Sequence, residues 1–397
     1  MNSFQMPNSS DLTNPDADDQ AIPPSRKSTS DRLLPTPAEI VKMLDRKVIG
    51  QTAAKRNLAV AAYNHFLTCA QAELVGNSPV EASALLLVGP TGCGKSHLLK
   101  TLRDCLGVPM IYVTCTALTQ NGYKGTNINE ILERLESELL EDGRTQPAII
   151  VWDEVDKLRE LPGQHPIASR GVQQDLLTYL DGTFCGKSGQ LDSSRFLNVA
   201  CGAFVGLDQL RNSDRPSPQM GFHAATDDSP KFETLDPLTS QHLFDFGLIP
   251  EFVGRFTSVT ELDPLDADSL RLILCKAEDS TMVRKKRLVE LHGISLEFTD
   301  AALDEIIAKA IKMGTGARSL KRILETTLEG IDHRLPDLAA QGVTTIIISS
   351  ETVRGEKPAL EKVSPEIRPL IRLHALRQRA GAYSQWKKKT VEELTAW

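Results

Sequence analysis

Two short stretches of this chain hold residue types whose spacing can do chemistry. The first, Gly89-Pro90-Thr91-Gly92-Cys93-Gly94-Lys95-Ser96, reads G-x-x-x-x-G-K-[ST] between an apolar run, Ala84 to Val88, and the helical opening His97-Leu98-Leu99. A glycine-rich turn at the start of a helix points successive N–H groups at phosphate oxygens, and the helix adds its unpaired donors and positive dipole end. Lys95 then bridges the β- and γ-phosphates, and the Ser96 hydroxyl holds Mg²⁺. Pro90 through Lys95, with Ser96 and His97, are the candidate nucleotide contacts. The second stretch is Asp153-Glu154, two carboxylates ending the apolar run Ala148 to Trp152. Read as the end of a strand, the pair sends its side chains to opposite faces, Asp153 toward Mg²⁺ and Glu154 toward an attacking water.

The elements that must position these residues can be read around them. Thr36-Pro37-Ala38-Glu39 spells a threonine cap, a first-turn proline and a capping-box glutamate, opening a helix through Leu44. Val48-Ile49-Gly50-Gln51 and a helix through Tyr63 and Phe66 follow; Val48, Ile49 and Tyr63 are candidates to flank an adenine ring. Strands are expected at Met110–Thr114 and Phe196–Cys201, and helices over 127–142 and from Gly171 to Thr183 after a loop, 161–170. Residues 211–240 are polar and aperiodic, a long insertion loop. Strands alternating with helices predict a parallel sheet flanked by helices. In the C-terminal part, Asp266 caps a long helix to Glu290, Ile294–Phe298 is a strand, Asp300 caps a helix to Met313, another helix starts near Arg318, and Val343–Ser349 closes the fold.

The expected organisation is a disordered acidic and proline-rich tail, 1–35, a large domain, 36–257, a smaller one, 258–350, and a basic extension, 351–397. At 397 residues and a net charge of −7, the composition is that of an ordinary soluble chain rather than a generally basic nucleic-acid binder. No signal peptide is visible at the start, and no apolar run reaches the ~18 residues of a membrane span. The seven cysteines are scattered without C-x-x-C pairs, so reduced thiols in the cytoplasm are expected and no zinc site. In the extension, Arg368, Arg372, Arg377, Arg379 and Lys387 outweigh Glu366, with Tyr383 and Trp386 among them; a solvated helix is the plainer reading of this run. G-x-S-x-G and H-E-x-x-H are both missing, so no peptide-bond cleavage by the chain itself is expected.

Taken in order, these motifs resemble the ClpX family of AAA+ unfoldases from about Thr36 to Ser350: Val48 to Gln51, Tyr63-Asn64-His65, the phosphate loop, Gly122-Tyr123-x-Gly125, Asp153 to Lys157, Gly171-Val172-Gln173-Gln174, Gly247 to Arg255 and Gly316-Ala317-Arg318. The resemblance implies an α/β fold, a phosphate-loop NTPase large domain followed by a smaller, mainly helical α+β domain. It implies ATP and Mg²⁺ at the interfaces of a homo-hexameric ring that pulls unfolded or tagged protein through a central pore. Arg255 corresponds to the arginine finger reaching a neighbour's γ-phosphate and Arg318 to the second sensor on the subunit's own nucleotide. Tyr123 corresponds to the pore-loop aromatic, with Lys124 where the family usually has an aliphatic residue. Met220-Gly221-Phe222 stands where the family docks onto a ClpP-type peptidase. The chain departs from the family in lacking its zinc-binding N-terminal domain and an evident basic second pore loop, in ending the first-sensor strand at Cys201-Gly202, and in its basic extension. A stand-alone remodeller of protein or nucleoprotein complexes, without a peptidase, is the alternative reading.

Overall fold

The computed structural model describes residues 34–75, 80–119, 126–141, 144–160, 166–182, 191–213, 237–277 and 280–363. Tyr123, Lys124 and Met220 to Phe222, like residues 1–33 and 364–397, lie outside the described residues.

Helix α1 (Pro37–Lys47) opens on the expected capping box: the Thr36 hydroxyl accepts from the Glu39 N–H, and the Glu39 carboxylate accepts from the Thr36 N–H at 2.8 Å. It runs on past Leu44 to Lys47, and α2 (Thr52–Val75) follows after a tight turn. Then come β1 (Ser83–Val88), α3 (Lys95–Leu106), β2 (Met110–Thr114), α4 (Ile128–Leu139), β3 (Ala148–Asp153), α5 (Pro166–Leu180), β4 (Phe196–Gly202), α6 (Leu207–Ser213), α7 (Ser240–Asp245), α8 (Pro250–Val253) and β5 (Ser258–Glu261). All pairings among β1 to β5 are parallel, in the spatial order β2-β3-β4-β1-β5. Both faces are covered, which is why the strands read as nearly continuous apolar runs. Leu86, Val88, Ile150 and Trp152 face one buried cluster with α5 and α8, while Leu85, Leu87, Ile149 and Val151 face the other with α1, α2 and α3.

A second assembly follows: α9 (Ala267–Cys275), α10 (Thr281–Glu290), β6 (Ser295–Phe298), α11 (Asp300–Met313), α12 (Ala317–Ala340), β7 (Val343–Ile348), α13 (Ser350–Arg354) and β8 (Leu360–Val363). Strands β6, β7 and β8 form a small mixed sheet, and Leu274, Ile306, Leu324, Leu328 and Ile346 lie in a core of their own.

Several expectations change. Helix α4 ends at Leu139, and Leu140–Glu141 pairs with Arg144–Thr145. Helix α5 starts at Pro166, not Gly171, since proline's fixed φ suits a first turn. Arg211, assigned to the insertion loop, belongs to α6 and is buried against Glu261, Nη1 donating to Oε1 at 2.6 Å. Ser258–Glu261, expected to open the second domain, is instead the edge strand of the large sheet. The long helix to Glu290 is two helices: the Ser280 hydroxyl donates to the Leu274 carbonyl and accepts from the Met282 N–H at 3.2 Å, diverting backbone groups a continuous helix would use. Thr299, not Asp300, caps α11. The fold also runs past Ser350, because β8 pairs antiparallel with β7.

Candidate active site

The phosphate loop leaves β1 at the carboxyl end of the sheet and is fixed on three sides. The Gly89 N–H donates to the Gly202 carbonyl of β4 at 3.3 Å, and a Cβ on Gly89 would lie 2.9 Å from Leu262. Gly92 has φ +79°, and a Cβ there would lie 2.1 Å from the Thr315 carbonyl oxygen; any side chain would drive the loop off the second assembly. Gly94 caps α3, and its carbonyl accepts from the Leu98 N–H at 2.8 Å. The first amides of α3 thus have no acceptor within the helix and stand at the loop, the arrangement that suits an anion. Lys95 Nζ donates to the Gly89 and Pro90 carbonyls, lying over the loop it is expected to serve.

Asp153 closes β3 directly beside Cys201 of β4. Its Oδ1 accepts from the Glu154 N–H at 2.9 Å and from the Cys201 thiol at 3.2 Å. Burial, reinforced by the Asp153 charge, raises the pKa of the Cys201 thiol, so it stands as a neutral donor at the position where a polar sensor side chain was missed in the sequence. Burial, and after it the Asp153 charge, raise the pKa of the Cys115 thiol likewise. Glu154 is not the next residue of the strand. It takes the left-handed conformation, φ 61° and ψ 36°, so a sharp turn and not strand alternation sets its direction, and Thr116 Oγ1 donates to its Oε2 at 3.1 Å. Buried Asp156 ties the turn to β4 by accepting from the Ala203 N–H at 3.2 Å.

A cavity opens beside the loop, lined by Val48, Ile49, Cys93, Gly94 and His97 from the large assembly and by Ala317 and Leu320 of α12. The His97 ring contacts the Lys47 carbonyl at 3.1 Å, joining α3 to the end of α1. Buried Lys55 supports this wall by donating to the Val48 carbonyl at 2.7 Å and to Asp45 at 2.6 Å. Tyr63 does not line the cavity; it is half-buried against the apolar cluster between α2 and the sheet. Gln51, left-handed at φ 58° and buried, joins three segments. Its Nε2 donates to the Asp263 carbonyl at 2.8 Å and to the Cys93 carbonyl at 3.4 Å, and its Oε1 accepts from the Asp263 N–H at 2.9 Å.

The two arginines lie in different surroundings. Arg318 is exposed in the first turn of α12, where the neighbouring Ala317 N–H donates to the Gly92 carbonyl at 3.1 Å. Arg255 follows α8 and forms an ion pair with Asp181, Nε lying 2.8 Å from Oδ1. Gln51 stood in a motif read from the sequence but without a role, Cys201 was read only as the end of the first-sensor strand, and Thr116 and Asp181 carried no local signal.

The residues present fit a magnesium nucleotide: a glycine-rich loop running into the unpaired first amides of α3, a lysine over it, a serine hydroxyl in the first turn and a carboxylate at the end of β3, separated from the loop's own strand by β4. Among the described residues no cluster of three or more His, Cys, Asp or Glu is placed to hold a metal ion, and no helix is long and apolar enough to cross a membrane.

The family described as AAA domain (Cdc48 subfamily) matches residues 81–259, from just before β1 into β5, and the C-terminal, D2-small domain, of ClpB protein matches residues 265–331. The ATP-dependent Clp protease ATP-binding subunit ClpX 3 of Methylococcus capsulatus is 34% identical over 359 residues, covering 82% of each chain. The ATP-dependent Clp protease ATP-binding subunit ClpX of Azotobacter vinelandii is 38% identical over 333 residues, covering 76% of this chain and 75% of its own. The ClpX 2 subunit of Wolinella succinogenes is 36% identical over 344 residues, covering 82% of this chain and 84% of its own. The chain belongs to the ClpX family, and with it to the AAA+ ATPases.

Proposed function

We propose that this protein is an ATP-driven unfoldase that works as a homo-hexameric ring, draws unfolded or tagged polypeptide through its pore and delivers it to a ClpP-type peptidase. The observation that carries the reading is the convergence of phosphate loop and carboxylates at one end of the sheet: Gly89 is bonded to Gly202 while Cys201, one residue earlier, is bonded to Asp153. The likeness to subunits of the ATP-dependent Clp protease supports the peptidase partnership.

In this reading the loop N–H groups from Thr91 to Gly94, with Pro90 shaping the turn, and Lys95 hold the phosphates, with Ser96 and Asp153 on the magnesium side. Val48, Ile49 and His97 wall the base. Bound Mg²⁺ supplies charge neutralisation at the γ-phosphate. Glu154, directed by its left-handed turn and its bond from Thr116, orients the attacking water and takes its proton. Arg318 serves the subunit's own nucleotide and Arg255 the neighbour's, tasks that suit a permanently charged planar donor. Tyr123 and Lys124 grip the substrate, and Met220-Gly221-Phe222 docks the peptidase. The chain is organised for these tasks as a tail, a large and a small ATPase domain and a basic extension. It works in the cytoplasm without zinc.

ATP-dependent unfolding of a tagged fluorescent protein tests the reading. Lys95→Ala is expected to lose ATP binding, while Glu154→Gln binds ATP and hardly turns it over, since Lys95 meets the ground state and Glu154 the transition state. Near wild-type turnover in Glu154→Gln removes the catalytic assignment. Unfolding that never couples to a ClpP-type peptidase, or is unaffected in that coupling by Phe222→Ala, makes the chain a stand-alone remodeller.

A further inference from the structure

Among the described residues the Arg255 guanidinium, 46% exposed, has one charged partner, Asp181, with a closest approach of 2.8 Å between Nε and Oδ1. A guanidinium has five N–H donors, more than one carboxylate can satisfy, and nearly half of this side chain is open to whatever approaches from outside. Its partner is not a loose surface carboxylate. Asp181 follows the last residue of α5, with its N–H donating to the Leu177 carbonyl at 2.9 Å and that of Gly182 to the Tyr179 carbonyl at 3.1 Å. Gly182 has φ +67°, and a Cβ there would lie 2.7 Å from Ala82 Cβ and 2.9 Å from Ser194 Cα, so the turn that presents Asp181 is clamped from two sides.

The rest of α5 ties this turn to the subunit's own site. Tyr179 packs on Trp152 of β3, ring centroids 6.0 Å apart, one residue before Asp153. Fully buried Gln173 bonds in two directions: its Nε2 donates to the Leu158 carbonyl, just after the Asp153-Glu154 turn, at 2.8 Å, and its Oε1 accepts from the Ile249 N–H at 2.9 Å. Ile249 caps α8, the helix that leads to Arg255. One helix therefore rests on the strand of the hydrolytic carboxylates, braces the start of the arginine's segment and ends with a carboxylate on its guanidinium.

We propose that Asp181 is a positioning residue for Arg255, presetting the guanidinium for phosphates bound by an adjacent copy of the chain. The inference rests on the reading of Arg255 as a residue that acts across a subunit interface. An arginine carries much rotamer freedom, and a side chain held by an ion pair before the encounter gives up less of it on engaging an anion.

The test is steady-state ATP hydrolysis by assembled rings of the whole chain. Asp181→Ala, Asp181→Asn and Asp181→Glu are measured alone, and Asp181→Ala is combined with Arg255→Ala. Asp181→Ala and Asp181→Asn are expected to lower kcat by about 10- to 100-fold, as misplacement of a catalytic group does, with KM for ATP within about 2-fold of the parent. Asp181→Glu restores most of the loss, and in the Arg255→Ala background Asp181→Ala adds nothing. Should Asp181→Ala fail to assemble on size exclusion, the isosteric Asp181→Asn carries the cycle. An unchanged or raised kcat in Asp181→Asn, or full additivity with Arg255→Ala, overturns the inference while an impaired Arg255→Ala keeps the reading of the arginine. Wild-type turnover in Arg255→Ala removes that reading and the inference with it.

Discussion

The surroundings of Arg318 and Arg255 make opposite structural commitments. Arg318 is held by backbone: the N–H beside it bonds the phosphate loop, and Gly316 presses on Gly92 with no room for a side chain. Its position is a matter of whether α12 touches the loop. Arg255 is held by a side chain, and behind that side chain stands α5 packed on the strand of Asp153. In the proposed reading the first arginine responds to the subunit's own nucleotide, and the second transmits the state of that subunit outward. An exposed arginine in a local motif can therefore be rigid in two ways that differ in what moves it.

The largest effect that separates them is expected from Arg255→Ala, a loss in turnover of about 10³-fold or more with little change in ATP binding. Mixed rings with Glu154→Gln subunits should recover part of the activity, because some interfaces are then intact. Absence of recovery in verified mixed rings would merge the two arginines into one site. Next comes Gly316→Ala. A Cβ there would lie 2.6 Å from the Gly92 carbonyl oxygen at φ +53°, so α12 must back away from the loop. Strain of about 1–2 kcal/mol corresponds to roughly tenfold weaker ATP binding, read by equilibrium titration; unaltered affinity would show that the loop does not depend on α12.

The smallest effect is a control on both. His65, buried in α2 beside Cys69 and Arg195, has its pKa lowered to about 4, by burial first and then by the Arg195 charge. Between pH 6.5 and 4 the unfolded chain binds this proton and the native chain does not. Stability is therefore full above about pH 6.5 and falls as the pH drops toward 4, by about 3 kcal/mol at most. Thermal unfolding should lose this slope in His65→Phe while turnover per folded ring stays at the parent value. A slope unchanged in His65→Phe would assign the acid sensitivity to other groups.

The phosphate loop, the strands around it and the capping box at Thr36 were legible in the sequence because each is a local spelling with a local cause. The remainder depended on distant partners. Nothing near Asp181 names Arg255, and nothing near Cys201 names Asp153; the packing of α5 on α8 brings the first pair together and parallel strands the second. Glu154 misled because a non-glycine residue with positive φ looks, in sequence, like one more strand position. Ser258-Val259-Thr260-Glu261 alternates like any half-buried strand, so its place at the edge of the large sheet was invisible, and Leu360–Val363 is exposed along its whole length, leaving no apolar pattern to find. Tyr63 was assigned to the nucleotide by the company it keeps in the chain, whereas its position on α2 turns it to the core.

Gln51 has a mechanical consequence. Its amide grips Asp263 by both backbone groups, as a neighbouring strand would, at the point where the chain passes from the last strand of the large sheet toward α9. A pull on the second assembly reaches this joint with two hydrogen bonds side by side, which must yield together rather than in turn. The same amide also reaches the Cys93 carbonyl of the phosphate loop, so a displacement at this joint is passed to the loop directly.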